Sequence, residues 1–241
     1  MIECRSPSPW PTRRSVRPFD EVENAGGYVM RLIPLLPAAL LLMSVPSFAQ
    51  GWMEYASRAD FFSVNFPAEP TVRDITYTTE YEITLPGRVY SYVDGPNRYS
   101  VTVVDYSDAE KIHTERQKRC REAGGDGDSC NNPSRADVRG AIVHATSNFL
   151  QRDAKITHYA NYNADLVEGH RLQLTNADRS RTFAVIHLHD YRLYILEGTV
   201  APGLPPPALF QQSLGFLDKE GKRIRYETTY SHGYPTPRRT R

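Results

Sequence analysis

Thr182-Phe183-Ala184-Val185-Ile186-His187-Leu188-His189, Asp190-Tyr191, then Arg192-Leu193-Tyr194-Ile195-Leu196-Glu197-Gly198-Thr199-Val200 is the stretch on which the fold turns. Two apolar, β-branched and aromatic runs flank a turn at Asp190, as strands joined by a hairpin do. Two more such runs come before it, Ile156 to Tyr162 and Leu166 to Thr175, and Asn176 to Ser180 supplies a further turn. Four strands in sequence with short connections predict an antiparallel arrangement.

The same pattern occurs earlier in the chain. Ala59 to Phe66 alternates, with Phe62, Val64 and Phe66 on one face, and stops at Pro67. Thr71 to Leu85 reads as one or two strands ended by Pro86-Gly87. Arg88 to Val93 and Arg98 to Tyr106 flank Asp94-Gly95-Pro96-Asn97, a hairpin. Between the two strand regions, Ser107-Asp108-Ala109-Glu110 fits a capping box that opens a charged helix to about Glu122. Ser134 is expected to cap a second helix, with Val138, Ile142, Ala145 and Phe149 as its buried stripe. Past Pro205-Pro206-Pro207, the residues Leu209, Phe210, Leu214 and Leu217 predict a last helix over Ala208 to Leu217. Strands, helix pair, strands, helix define an α+β chain: an antiparallel β-sheet with helices packed on its faces.

Upstream lies an export signal. Met30-Arg31 is followed by an apolar stretch from Leu32 to Val45 and by Ser47-Phe48-Ala49, with small residues three and one places before a cut. A membrane span needs about 20 apolar residues. This stretch is shorter and is broken by Pro34, Pro37 and Pro46, so no stable span is expected after cleavage. The expected organisation is a disordered or mis-assigned extension over 1–29, a signal peptide over 30–49, a single α+β domain over 50–218 and a mobile, locally basic tail over 219–241. The expected location is periplasmic or secreted. Of 29 Lys and Arg, five precede Gln50, and of 28 Asp and Glu, four do, so 24 of each remain. That balance offers no electrostatic case for nucleic acid.

Cys4 precedes the signal, which leaves Cys120 and Cys130. In an oxidising compartment such a pair reads as one disulfide closing the Gly- and Asp-rich loop Arg121 to Ser129. Chain entropy assigns such a closure about 3 kcal/mol. A redox-active pair is usually closer, as in Cys-x-x-Cys.

His187-x-His189 is the metal candidate. On a strand both side chains face one way, about 6.6 Å apart. Zinc accepts such a pair when a third ligand arrives, for which His158, His170 and Glu197 are candidates. The alternative is a half-exposed pair on the face of Phe183 and Val185. Asp126-Gly127-Asp128 opens a calcium-like phrase, but Cys130, Asn131 and Asp137 occupy its later ligand places. The hydrolase elbow, the zinc-protease helix and the phosphate loop are absent from the sequence, so no catalytic residue is assigned and no cofactor is expected. Tyr77, Tyr81, Tyr90, Tyr92, Tyr99 and Tyr106 suit sheet packing, with some free to form a contact surface.

Phe61-Phe62-Ser63-Val64-Asn65-Phe66-Pro67-Ala68-Glu69-Pro70 resembles the opening strand of PsbP-like exported bacterial proteins, and Leu209-Phe210-Gln211-Gln212-Ser213-Leu214-Gly215-Phe216 resembles their closing helix. The resemblance implies an α/β/α sandwich that assembles with or binds a protein partner without a catalytic centre. It carries over no site residue, and the Cys120–Cys130 loop departs from it. The expected function is thus a non-enzymatic exported protein that binds or scaffolds a periplasmic partner. The alternative is a metal-dependent hydrolase using His187 and His189.

Overall fold

A computed structural model describes residues 51–240. The expected extension and signal peptide, 1–29 and 30–49, lie outside the described residues. The element order is β1 (Met53–Ser57), β2 (Phe62–Phe66), β3 (Thr71–Thr78), β4 (Thr84–Asp94), β5 (Asn97–Asp105), α1 (Ala109–Glu122), α2 (Ser134–Leu150), β6 (Ala154–Ala164), β7 (Val167–Asn176), β8 (Arg181–His189), β9 (Arg192–Val200), α3 (Ala208–Gln211) and β10 (Gly215–Phe216). Seven strands form one antiparallel sheet in the order β3-β4-β5-β9-β8-β7-β6, and β1-β2-β10 form a second. The fold is α+β. Among the described residues no helix is long and apolar enough to cross a membrane.

The β8–β9 hairpin turns at Asp190 and Tyr191, both at positive φ (47° and 59°), the backbone of a type I′ turn. Its register runs from Arg181↔Val200 to His189↔Arg192. β8 alternates between two covered faces, which explains its almost continuous apolar run. Ala184, Ile186 and Leu188 join a core beneath the helices with Val138, Ala145, Phe149 and Leu172. On the other face Val185 joins Phe62, Phe66, Tyr194, Phe210 and Phe216. Each fully buried Phe of that second core contributes about 1.5–3 kcal/mol.

The two faces are covered unequally. α1 and α2 cover one face only, and the small β1-β2-β10 sheet, short α3 and the chain after Lys219 cover the other. The expected helix over Ala208 to Leu217 ends at Gln211. Leu209 points to solvent, 56% exposed, while Phe210, Leu214 and Phe216 are buried. Gly215 pairs with Ser63 of β2, and a Cβ there would meet Arg223 Nε at 2.7 Å and Ser63 Oγ at 3.0 Å. Gly215 and Phe216 extend instead to pair with β2, which ends the helix before them.

Three further expectations change. Pro86-Gly87 does not end a strand but lies inside β4: Pro86 is exposed opposite Thr76, one residue before the first β4–β5 pair, Gly87↔Val104. There β4 is locally an edge on that side, where proline is tolerated. β1 carries no alternating apolar signal, since most of Met53–Ser57 is exposed, and it was not foreseen. The segment 219–241, expected to be mobile, packs instead over residues 219–240. Ile224, Tyr226 and Tyr230 are buried, and the Tyr230 backbone exchanges hydrogen bonds with Leu166 and Glu168.

Candidate functional site

The expected metal pair is a sealed part of the core. His187 and His189 share a face of β8 and are 0% and 3% exposed, not half-exposed. Phe216 packs on both rings, and Tyr226 and Tyr230 pack on His189. His189 Nε2 and the Tyr226 hydroxyl share a hydrogen bond of 2.7 Å, and His187 Nδ1 lies 3.2 Å from the Glu168 carbonyl. Burial pushes both rings down to about 4, so they stay neutral at ordinary pH. Gly169 faces His187 across the β7–β8 ladder, and a Cβ there would collide with the imidazole and with the Ile186 carbonyl.

The register also removes the proposed third ligands. His170 pairs with Ile186, on the helix-covered face, and lies 2.8 Å from Thr146 Oγ1. Glu197 pairs with Ala184 on that same face and takes two hydrogen bonds from Arg152, at 2.6 and 3.0 Å. His158 is exposed on β6, beside Arg171. Among the described residues no group of three or more His, Cys, Asp or Glu is placed to hold a metal ion. The calcium-like phrase serves a local turn, where Asp126 Oδ1 accepts from the Ser129 N–H at 3.0 Å and hydroxyl at 2.7 Å.

The opposite face holds a polar centre that sequence reasoning missed. His113 sits one turn into α1, directly above buried Ala109. Asp137 sits in the first turn of α2, where the helix N-terminus favours a carboxylate. The packing of α1 against α2 brings them together: His113 Nε2 lies 2.8 Å from Asp137 Oδ2, and each side chain is 1% exposed. Thr79, in the β3–β4 turn, donates to the same oxygen at 2.7 Å. Four buried atoms around them lack a partner: His113 Nδ1, Asp137 Oδ1, Tyr77 OH and Tyr106 OH. Burial, and then Asp137, raises Tyr77 to about 12. Burial, with Tyr77 and Asp137, raises Tyr106 as well. Unpartnered buried polar atoms are costly, and a cluster of them marks a place kept for something other than packing.

His113 also lines a cleft of ≈ 310 Å³ at the end of the helix pair, with Tyr81, Arg116, Gln117, Asn131 and Pro133. Cys120 and Cys130 form one wall at disulfide distance, their Cα atoms 5.5 Å apart. Gln117 Nε2 donates to the Cys130 carbonyl at 2.9 Å, and Arg116 Nη1 donates to the Tyr81 carbonyl at 2.7 Å.

The local capping differs from expectation. Ser107 does not close a capping box on α1; its hydroxyl donates to Asp105 Oδ1 at 2.5 Å, and the Asp108 cap has no side-chain bond. Ser134 does not cap α2 either, being its first residue. Asn132 Oδ1 accepts the Ser134 N–H at 3.0 Å, and Asn132 Nδ2 reaches Thr114 of α1 at 3.1 Å. The expected stripe of α2 does turn inward: Val138, Ala145 and Phe149 are buried and Ile142 is half-buried.

No family model and no curated protein matches the chain. Among solved structures it is similar to the solution structure of cyanobacterial PsbP from Synechocystis sp. PCC 6803, with 12% identity over 67% of this chain and 87% of that one and a TM-score of 0.35. A likeness that low has no bearing on activity, and the α+β class rests on the two sheets and their helices.

Proposed function

We propose that the chain is a non-enzymatic protein exported to the periplasm or beyond, which binds or scaffolds a partner through the α1–α2 end of its sandwich. The observation that carries this is the cleft beside Arg116, where a concave surface without acidic lining, an arginine paired only loosely with an exposed Glu82, and a buried histidine coincide. The Met30–Ala49 pattern supports export, and the Cys120–Cys130 pair at disulfide distance fits an oxidising compartment. As a bridge it would tie the end of α1 to the approach of α2 and hold the cleft wall in place. The metal-dependent hydrolase reading gains nothing from the buried His187 and His189.

The test is photo-crosslinking in living cells. A photoreactive side chain at exposed Asn131 is compared with one at exposed Glu54 on the distant β1. The expected result is a discrete adduct from position 131 that is absent from position 54. Equal labelling from both, or none from either, overturns the reading.

A further inference from the structure

We propose that the Arg116 cleft binds a carboxylate. This rests on the reading that the α1–α2 end docks a partner, and it names the chemistry that the end recognises. Arg116 is the one formal charge among the side chains lining the cleft besides the titratable His113; no Asp or Glu lines it. The cleft lined by Arg171 also lacks an acid, but other clefts of the described surface pair arginine with acid. Arg135 and Arg139 share one with Glu110, and Arg139 shares another with Glu168. The acids nearest the Arg116 cleft are otherwise disposed. Glu82 reaches Arg116 Nη2 only at 4.0 Å and is 82% exposed, so a ligand can displace it into water. Asp137 lies behind the His113 ring and is held by it and by Thr79.

Arg116 spends Nη1 on the Tyr81 carbonyl, which fixes the guanidinium. Its remaining N–H groups suit a two-pronged carboxylate contact. Asn131 is exposed at the rim and adds an amide donor. The His113 ring, held by Asp137 through Nε2, closes one side of the cleft. Tyr81 stands edge-on to that ring, at 6.3 Å and 85°, and with Pro133 provides an apolar wall. A space of ≈ 310 Å³ suits a side chain, a chain terminus or a small acid. The carboxylate therefore comes either from the end of a partner chain or from a free small molecule.

The full exported chain, with its cysteines oxidised and uniformly 15N-labelled, is titrated with three probes. These are an N-acetylated Gly-Phe dipeptide with a free C-terminal carboxylate, the same dipeptide as its amide, and benzoate. The free acid is expected to shift the resonances of Arg116, His113 and Asn131, and the amide to leave them in place. Arg116→Gln, a change at an exposed position that spares the fold, should weaken the acid about tenfold or more. Binding of the dipeptide well above benzoate assigns the carboxylate to a chain terminus, and equal binding assigns it to small acids. Equal shifts by acid and amide, affinity unchanged in Arg116→Gln, or no shift at these residues by either acid overturns the proposal. Crosslinking at Asn131 that persists alongside a failed titration means that this face docks a partner by other chemistry.

Discussion

Two buried histidine sites lie on opposite faces of the same sheet and are built in opposite ways. His187 packs against Phe216, and His189 packs among Phe216, Tyr226 and Tyr230. His113 is equally buried but holds Asp137, beneath four unpartnered polar atoms and beside an open cleft. The first site treats imidazole as a flat core side chain, though it too leaves one nitrogen, His187 Nε2, without a partner. The second gathers four such atoms around one His–Asp contact. Metal-like spacing is thus a weaker guide to function than what covers the residues, and cover is a tertiary property.

The largest effect should come from acid acting on the sealed pair. Their folded values near 4 lie below the ordinary 6.5. Between those limits the unfolded chain binds more protons, so stability rises with pH across the window and is lost as pH falls through it. By pH 4 each ring costs on the order of 3 kcal/mol. Together that rivals the whole stability of a typical domain, about 5–15 kcal/mol, so unfolding should begin before either ring is fully protonated. Urea unfolding at neutral and mildly acidic pH, with imidazole resonances followed alongside, checks this. A native-state His187 or His189 titrating near 6.5 would break the contrast, because it would show a wet site.

On the other face, Asp137→Ala should cost about 3–5 kcal/mol, since it strands both His113 and Thr79 in the interior. Denaturant unfolding measures it. A loss of about 0.5 kcal/mol or less, the range of ordinary surface changes, would mean that the His113–Asp137 contact does no structural work.

These sites also show what could be seen in the sequence. Strands β8 and β9 were legible because two covered faces demand nearly unbroken apolar runs, while the more exposed β6 and β7 showed through their β-branched, aromatic and leucine positions and the Asn176 turn. β1 was not, because its residues are mostly exposed and its place is set by pairing with β2. Leu209, Phe210, Leu214 and Leu217 fit a helical stripe, but pairing of Gly215 and Phe216 with β2 decides for a strand. His187-x-His189 stood out because its members are neighbours in sequence. His113 and Asp137 are 24 residues apart, each a lone polar residue on a helix until the α1–α2 turn joins them. A long-range contact of that kind leaves no local pattern; the one available hint was a polar residue at a position of each helix that faces inward.

The Cys120–Cys130 pair sharpens the comparison at the cleft. Reduction should lower stability by about 2–3 kcal/mol, in line with a short closed loop, and should loosen 121–129 without unfolding either sheet. Thiol titration of the denatured, unreduced exported protein should find no free cysteine. Two free thiols per chain would remove the bridge and with it the fixed wall of the cleft.

The smallest effect concerns how the helix pair is started. Asn132 accepts the first N–H of α2 and donates to Thr114 of α1, so it fixes both the beginning of the helix that carries Asp137 and its distance from the helix that carries His113. Ser134, although buried, makes no side-chain cap. Asn132→Ala should therefore cost about 1 kcal/mol, the usual loss for an N-terminal capping side chain, and Ser134→Ala about 0.5 kcal/mol or less. Thermal melts of both variants rank them. Hydrogen exchange should also quicken at the start of α2 in Asn132→Ala alone. The reverse order would place the cap on Ser134, and the geometry that sets His113 against Asp137 would then have to be held by the Thr79 contact instead.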